Sequence, residues 1–131
     1  MAKLNAVGIV VTDLERAVKF YRLLGVPFPE GAERSEHGHA DVMLEGGTRL
    51  MVDTEETMRS FDPSWKRAAS GSPAAALGFT CESPKAVDEL YAKAMSAGGR
   101  AHKEPWDAFW GQRYAQLRDP DGNAVDLFAN L

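Results

Sequence analysis

Residues 7–26 read VGIVVTDLERAVKFYRLLGV, and this stretch contains the pattern on which the rest of the chain is built. Its first five residues form a short β-branched run that predicts a strand. Asp13 then offers a helix N-cap, and Gly25 stands where glycine commonly ends a helix. Between them, apolar residues follow at helical spacing: Leu14, Ala17, Val18, Tyr21 and Leu24. The stretch therefore predicts a strand followed by an amphipathic helix.

The same pattern returns in the second half of the chain. Residues 77–81 repeat the strand, and Ser83-Pro84 supplies an N-cap with proline at the first helical position. The apolar residues of this helix are again spaced three or four apart, and Gly98-Gly99 ends it: Val87, Leu90, Tyr91 and Ala94. The chain is thus predicted to use one module twice.

Further strands complete each half. In the first half, strands at 41–45 and 48–53 meet at Gly46-Gly47, which is a hairpin signal. In the second half, strands at 113–118 and 124–129 flank the turn DPDGN. The polar segment 54–73 lies between the halves and is predicted to contain a short helix after Thr54.

Length and composition set limits on the class of protein. A chain of 131 residues predicts a single domain, with module one at about 1–57, a linker at about 58–73 and module two at about 74–131. The net charge of −4, with dispersed Lys and Arg, argues against nucleic acid as a partner. Cys81 is the only cysteine, and neither a membrane-spanning apolar run nor a signal-peptide core is present. A soluble cytoplasmic protein is expected.

The tandem modules, the opening stretch 7–26 and the closing stretch RDPDGNAVDLF (118–128) resemble the vicinal-oxygen-chelate superfamily. This group contains glyoxalases, extradiol dioxygenases, fosfomycin-resistance enzymes and bleomycin-binding proteins. The resemblance implies an α+β fold of tandem βαβββ modules, forming a concave, mostly antiparallel eight-stranded sheet with helices on its convex side. Stretches 49–65 and 105–129 are similar to the mitomycin-binding, drug-sequestering members found in antibiotic producers.

The resemblance also indicates where a metal would bind. The ligand positions of superfamily enzymes fall on Ala6, Ala76, the vicinity of Met51, and Asp126. Alanine cannot ligate a metal, and one carboxylate cannot hold a catalytic ion. No metal and no cofactor are therefore expected. His37 and His39 would share a face on a strand, but a third ligand is not apparent, and a solvated strand start is the simpler interpretation. His102 is expected in a loop, and Cys81 in the core rather than as a nucleophile.

The predicted pocket is lined by small residues with aromatic and acidic residues around them. The small residues are Ala6, Gly8, Val10, Ala76, Gly78 and Thr80. The ligand-binding candidates are Trp106, Trp110, Tyr114, Asp53, Met51, Phe61, Trp65 and Asp126. Trp106, Trp110, Phe61 and Trp65 are expected in irregular stretches beside the strands, where they would give flat walls for a planar ligand.

Each candidate also has a structural interpretation. For each aromatic ring, a structural role in the core or in a dimer interface is as well supported as contact with a ligand. Asp53 suits the N-terminus of the following helix, and Asp126 suits an ion pair with Arg113 or Arg118.

These features favour a metal-independent protein that binds and sequesters a planar, antibiotic-like or quinone-like molecule and so confers resistance. A homodimer with pockets at the subunit interface is expected, by analogy with bleomycin-type binders. The alternatives are a metal-dependent lyase, isomerase or dioxygenase of the same superfamily, and a dimer without a ligand.

Overall fold

The computed structural model describes residues 1–69 and 71–131, so Ser70, in the predicted linker, lies outside the described residues. The chain forms two compact units, Met1–Ser70 and Gly71–Leu131. The first unit continues well past the module boundary predicted near residue 57. The prediction that both modules form a single domain stays a prediction.

The first unit contains a three-stranded sheet. Its elements are β1 (Ala6–Val11), α1 (Leu14–Leu23), β2 (His39–Met43), β3 (Arg49–Thr54) and α2 (Glu55–Phe61), with one 3-10 turn at Ala32–Arg34. The strand order is β1-β3-β2, with β1 parallel and β2 antiparallel to β3. The short helix predicted after Thr54 is confirmed as α2, and Thr54 caps it by accepting a hydrogen bond from Thr57 N.

The second unit contains a four-stranded sheet. Its elements are β4 (Ala76–Thr80), α3 (Pro84–Ser96), β5 (Arg100–Ala108), β6 (Gln112–Arg118) and β7 (Ala124–Asn130). The strand order is β4-β7-β6-β5, with β4 parallel to β7 and the other neighbours antiparallel. The α+β class is confirmed, and each of the two sheets contains both parallel and antiparallel strand pairs.

The described residues form seven strands in two sheets, whereas eight strands in one sheet were predicted. The segment after α1 contains Pro27 and Pro29 and makes the 3-10 turn at the place where the second unit has β5. Proline lacks the N–H that a strand ladder needs, which explains why this segment does not extend the sheet.

The strand β5 was not predicted from the sequence. His102 was expected in a loop and Trp106 in an irregular stretch, but both lie in β5, and Phe61 is the last residue of α2. Residues 100–105 are polar and include Pro105, so they lack the apolar alternation that marks a half-buried strand.

The helices follow the predicted caps. Asp13 accepts a hydrogen bond from Arg16 N at the start of α1, and Ser83 does the same for Ala86 N at the start of α3. Gly25 and Gly98 follow these helices with φ of 96° and 97°, a left-handed conformation that suits glycine. Helices α1 and α3 each bury an apolar stripe and pack on the sheet of their own unit.

A buried carboxylate organises the turn between β6 and β7. Asp119 has no exposed surface and accepts hydrogen bonds from Asp121 N, Asn123 N and Asn123 Nδ2, each at 2.8 Å. Gly122 adopts a φ of 91° in the same turn. These hydrogen bonds to Asp119 fix the conformation of the turn. The turn then sets the direction in which β7 begins and which residues of β7 face each side of the sheet.

No helix in the described part of the chain is long and apolar enough to cross a membrane.

Replacing Asp119 with alanine should lower the free energy of unfolding by about 2–3 kcal/mol, because three partly buried donors lose their acceptor. Urea denaturation followed by circular dichroism measures this loss. Glu89→Ala removes an exposed carboxylate from the same unit and should cost less than about 0.5 kcal/mol. Equal stability of the two variants would contradict the organising role of Asp119.

Candidate functional site

Strand register gathers an aromatic group on the face of the second sheet opposite α3. Trp106 lies opposite Tyr114, and Tyr114 lies opposite Phe128. Gln116 lies opposite Asp126, which places the Asp126 carboxylate on the same face, two residues from Phe128. The opposite face carries the buried residues that pack under α3: Ala115, Leu117, Val125, Leu127 and Ala129.

The four aromatic rings of this face touch one another. Tyr114 stacks on Phe128 with ring centroids 5.6 Å apart and an interplanar angle of 10°. Trp106 and Trp110 meet the Tyr114 ring edge to face, at 5.5 and 5.3 Å, and meet each other at 6.1 Å. We call Trp106, Trp110, Tyr114 and Phe128 the aromatic platform. Trp110 remains 48% exposed, so the platform presents apolar surface to solvent.

A polar pair lies at the centre of the platform. Tyr114 OH donates a hydrogen bond of 2.7 Å to Asp126 Oδ2. Burial and this hydrogen bond to the Asp126 carboxylate raise the pKa of Tyr114 to about 12, so the phenol stays protonated at neutral pH. The alternative interpretation of Asp126 was an ion pair with Arg113 or Arg118. Arg113 instead binds Asp88 and Asp107, and Arg118 Nη1 donates to the Leu117 carbonyl. Asp126 is therefore held as an acceptor beside the aromatic rings.

Phe128 belongs to the platform, although it was not among the residues predicted from the sequence to bind a ligand. A Cβ built on Gly78 would come within 3.1 Å of Phe128 Cε1, so the ring lies directly over this glycine. The alternation of side chains along a strand indicates this position, because Phe128 lies two residues beyond Asp126 and shares its face.

The first unit presents a polar face of a different kind. Met51 pairs with Gly8 and with Asp41, while Asp53 pairs with Val10 and with His39. These side chains lie on the side of the sheet away from the buried Leu50 and Val52. Met51 and Asp53 are thus brought onto one face, as predicted, and their contact with a ligand stays a prediction.

His39 lies at the centre of this face, whereas the sequence predicted a solvated residue at the start of a strand. His39 Nδ1 lies 2.6 Å from Asp53 Oδ1, and His39 Nε2 lies 3.2 Å from Asp41 Oδ2. Asp41 also accepts a hydrogen bond from Arg49 Nη1 at 3.3 Å. Partial burial lowers the pKa of His39, but hydrogen bonds to Asp53 and Asp41 outweigh it, so the pKa is raised. The interpretation of Asp53 as a helix-terminal charge therefore omits its closest partner, His39.

The two remaining aromatic candidates lie at and beyond the end of α2. Phe61 is 68% exposed. The Trp65 ring lies between two guanidinium groups, with Arg59 Cζ at 5.9 Å and Arg67 Cζ at 5.8 Å from its centroid. Arg67 also donates to Glu55 and to the Val10 carbonyl, which ties this segment to its own unit.

A surface cleft of about 520 Å³ in the first unit lies apart from all of the predicted ligand-binding residues. Its lining comes from the segment before β2 and from α2, together with Leu14: Leu14, Glu33, Ser35, Glu36, His37, Gly38, Thr54, Glu56, Thr57 and Ser60.

The superfamily's metal positions carry few possible ligands. Ala6 pairs with Arg49 in β1–β3, and Ala76 pairs with Ala124 in β4–β7. Within residues 1–69 and 71–131, no cluster of three or more His, Cys, Asp or Glu side chains is placed to hold a metal ion. Cys81 is half-buried, and this burial raises the pKa of its thiol, which does not favour a thiolate nucleophile.

Comparison with known proteins identifies the family. The profile of the Glyoxalase/Bleomycin resistance protein/Dioxygenase superfamily matches residues 3–127, so the chain belongs to this superfamily. Uncharacterized protein YraH of Bacillus subtilis (strain 168) is 27% identical over 133 residues, covering 98% of this chain and 99% of YraH.

Two solved structures show the same fold. A glyoxalase/bleomycin resistance protein/dioxygenase family enzyme from Burkholderia phytofirmans PsJN superposes with a TM-score of 0.81 at 23% identity, covering 99% of this chain and 100% of that one. Hypothetical protein SA1046 of S. aureus gives a TM-score of 0.78 at 19% identity, covering 98% and 94%.

The His39 network predicts a pH response. Protonated His39 is stabilised by both carboxylates, so its contribution to stability is present at low pH and is lost as pH rises through the raised pKa. A proton NMR titration of the imidazole should give a pKa above about 6.5, and Asp53→Asn should lower it. Glu45→Gln, at the far end of the β2–β3 hairpin, should leave it unchanged. A pKa that does not respond to Asp53→Asn would contradict the pairing.

Proposed function

We propose that this chain binds a planar, aromatic or quinone-like small molecule without a metal ion and sequesters it, which confers resistance to that molecule. The observation that carries the proposal is the aromatic platform with Asp126 at its centre, on the face of the second sheet opposite α3. A flat ligand gains by burying apolar surface on such rings, and each aromatic pair adds about 0.5–1.5 kcal/mol beyond that burial.

The polar pair suits a role in orientation rather than in bond chemistry. Tyr114 donates to Asp126, so one carboxylate oxygen is already engaged and the other is able to accept from an amine, amide or hydroxyl of the ligand. Pockets for small molecules commonly combine apolar walls with a few such groups. The platform falls entirely within the stretch 105–129, and the resemblance predicted from the sequence of this stretch motivates the choice of a mitomycin-like ligand.

The second candidate is a metal-dependent lyase, isomerase or dioxygenase. Asp126 favours it, because it supplies a carboxylate at the last-strand metal position. Alanine at positions 6 and 76 weighs against it. Metal analysis of protein purified without chelators separates the two candidates: one divalent ion per chain that turnover requires would contradict sequestration.

Binding should be measurable by titration with a panel of planar quinones that includes mitomycin C. Wild-type protein should show saturable binding by calorimetry and quenching of tryptophan fluorescence. Trp106→Ala or Trp110→Ala should weaken binding about tenfold, because each removes one wall of the platform.

The matched control is Leu23→Ala, which removes a partly exposed apolar side chain from α1 and should leave the calorimetric affinity close to that of wild type. Circular dichroism checks that every variant is folded. Absence of binding by every compound would favour the ligand-free alternative.

We further propose a cytoplasmic homodimer with ligand pockets at the subunit interface. Phe61 and Phe109 are 68% and 98% exposed, and such aromatic residues are enriched where subunits meet. Sedimentation velocity should give about twice the chain mass of 14.3 kDa, and replacing both residues with serine should shift the protein toward monomer. A monomer at all concentrations would contradict the dimer, while leaving ligand binding by each chain testable.

A further inference from the structure

An irregularity in β5 changes which of its side chains share a face. Lys103 lies opposite Gln116 and Trp106 lies opposite Tyr114, so three steps along β5 match two along β6. In a regular strand, residues three apart point to opposite faces. Here the extra residue, in the segment Glu104-Pro105, is a bulge that turns Lys103 and Trp106 to the same side.

The bulge places a cation on the aromatic platform. Lys103 Nζ lies 3.9 Å from the centroid of the Trp106 ring, which is within the range of a cation–π contact. A ring stacked on an indole lies at a similar distance from the indole plane. The Lys103 ammonium therefore occupies the position that a stacked ligand would take over this face of Trp106.

The charges around the platform are mainly positive. Register places Arg100 opposite Arg118 and Arg118 opposite Ala124, which puts both residues on the same side of the sheet as Lys103. The Arg100 guanidinium donates to the Pro120 carbonyl at 2.7 Å. Asp126 is the acidic residue that register places there, in a chain whose net charge is −4.

Glu104, which follows Lys103 in the bulge, lies within electrostatic range of α3, since burial and the charge of Glu104 raise the pKa of Tyr91.

We infer that the platform selects planar ligands with anionic or carbonyl oxygens at their rim, and that Lys103 is the specificity-determining residue. This inference rests on the proposed function. A ligand that stacks on Trp106 displaces the Lys103 ammonium from the ring, and the ammonium then lies beside the ligand's edge. Oxygen atoms at that edge replace the lost cation–π contact, whereas a neutral or cationic edge does not.

The test compares two ligands that share one ring system. The anionic probe is an anthraquinone monosulfonate, and the neutral probe is hydroxymethylanthraquinone. Lys103→Met keeps the length of the side chain and removes its charge. It should weaken binding of the sulfonate about three- to fivefold and change that of the neutral probe by less than about twofold. The difference should shrink at high salt.

Two control variants complete the design. Lys103→Arg keeps the charge and should retain most of the preference for the sulfonate. Lys85→Met removes a charge from α3, where the side chain is 86% exposed and pairs with Glu89, and should change neither affinity. Equal effects of Lys103→Met on both probes, or no effect on either, would overturn the role of Lys103 while leaving ligand binding intact. If wild-type protein binds neither probe nor any quinone of the panel, the proposed function fails, and the inference fails with it.

Discussion

The parallel pairing of the first and last strands in each unit is the constraint on which the rest depends. β1 lies beside β3 and β4 beside β7, which places Gly8 next to Met51 and Gly78 next to Asp126. Because side chains alternate along a strand, this register assigns one face of each sheet to the helix and the other to functional groups. Because glycine has no side chain, Gly8 and Gly78 leave space on that second face beside the larger side chains of Met51 and Asp126.

One scaffold supports two chemically different faces. In the first unit this face of β3 and β2 carries Arg49, Asp53, His39 and Asp41, which form a connected ionic network. In the second unit the corresponding face carries the aromatic platform, with Asp126 as its carboxylate. The two units thus share the parallel pairing of their first and last strands but differ in the side chains on this face, and one fold is known to support many functions in this way.

The sequence predicted elements whose signals are local. Caps at Asp13, Ser83 and Thr54 and the alternation that sets the side of Asp126 were read correctly, because each depends on a few neighbouring residues. The position of Trp106 was missed because a bulge breaks alternation without any apolar signature. The partner of His39 was missed because the pairing of β2 with β3 brings Asp53 to it, and nothing near His39 in the chain indicates that contact.

The β5 bulge has a second consequence, for solubility. β5 is the last strand in the order β4-β7-β6-β5, so its outer edge has no neighbour within its own sheet. Exposed strand edges invite pairing with other chains, and proline and bulges are common means of preventing it. Pro105 offers no N–H, and the two register shifts bend the ladder on either side of Lys103. The bulge that orients Lys103 thus also makes the edge of β5 a poor template for aggregation. A substitution that straightened β5 would therefore reduce both the proposed ligand discrimination and the resistance to aggregation.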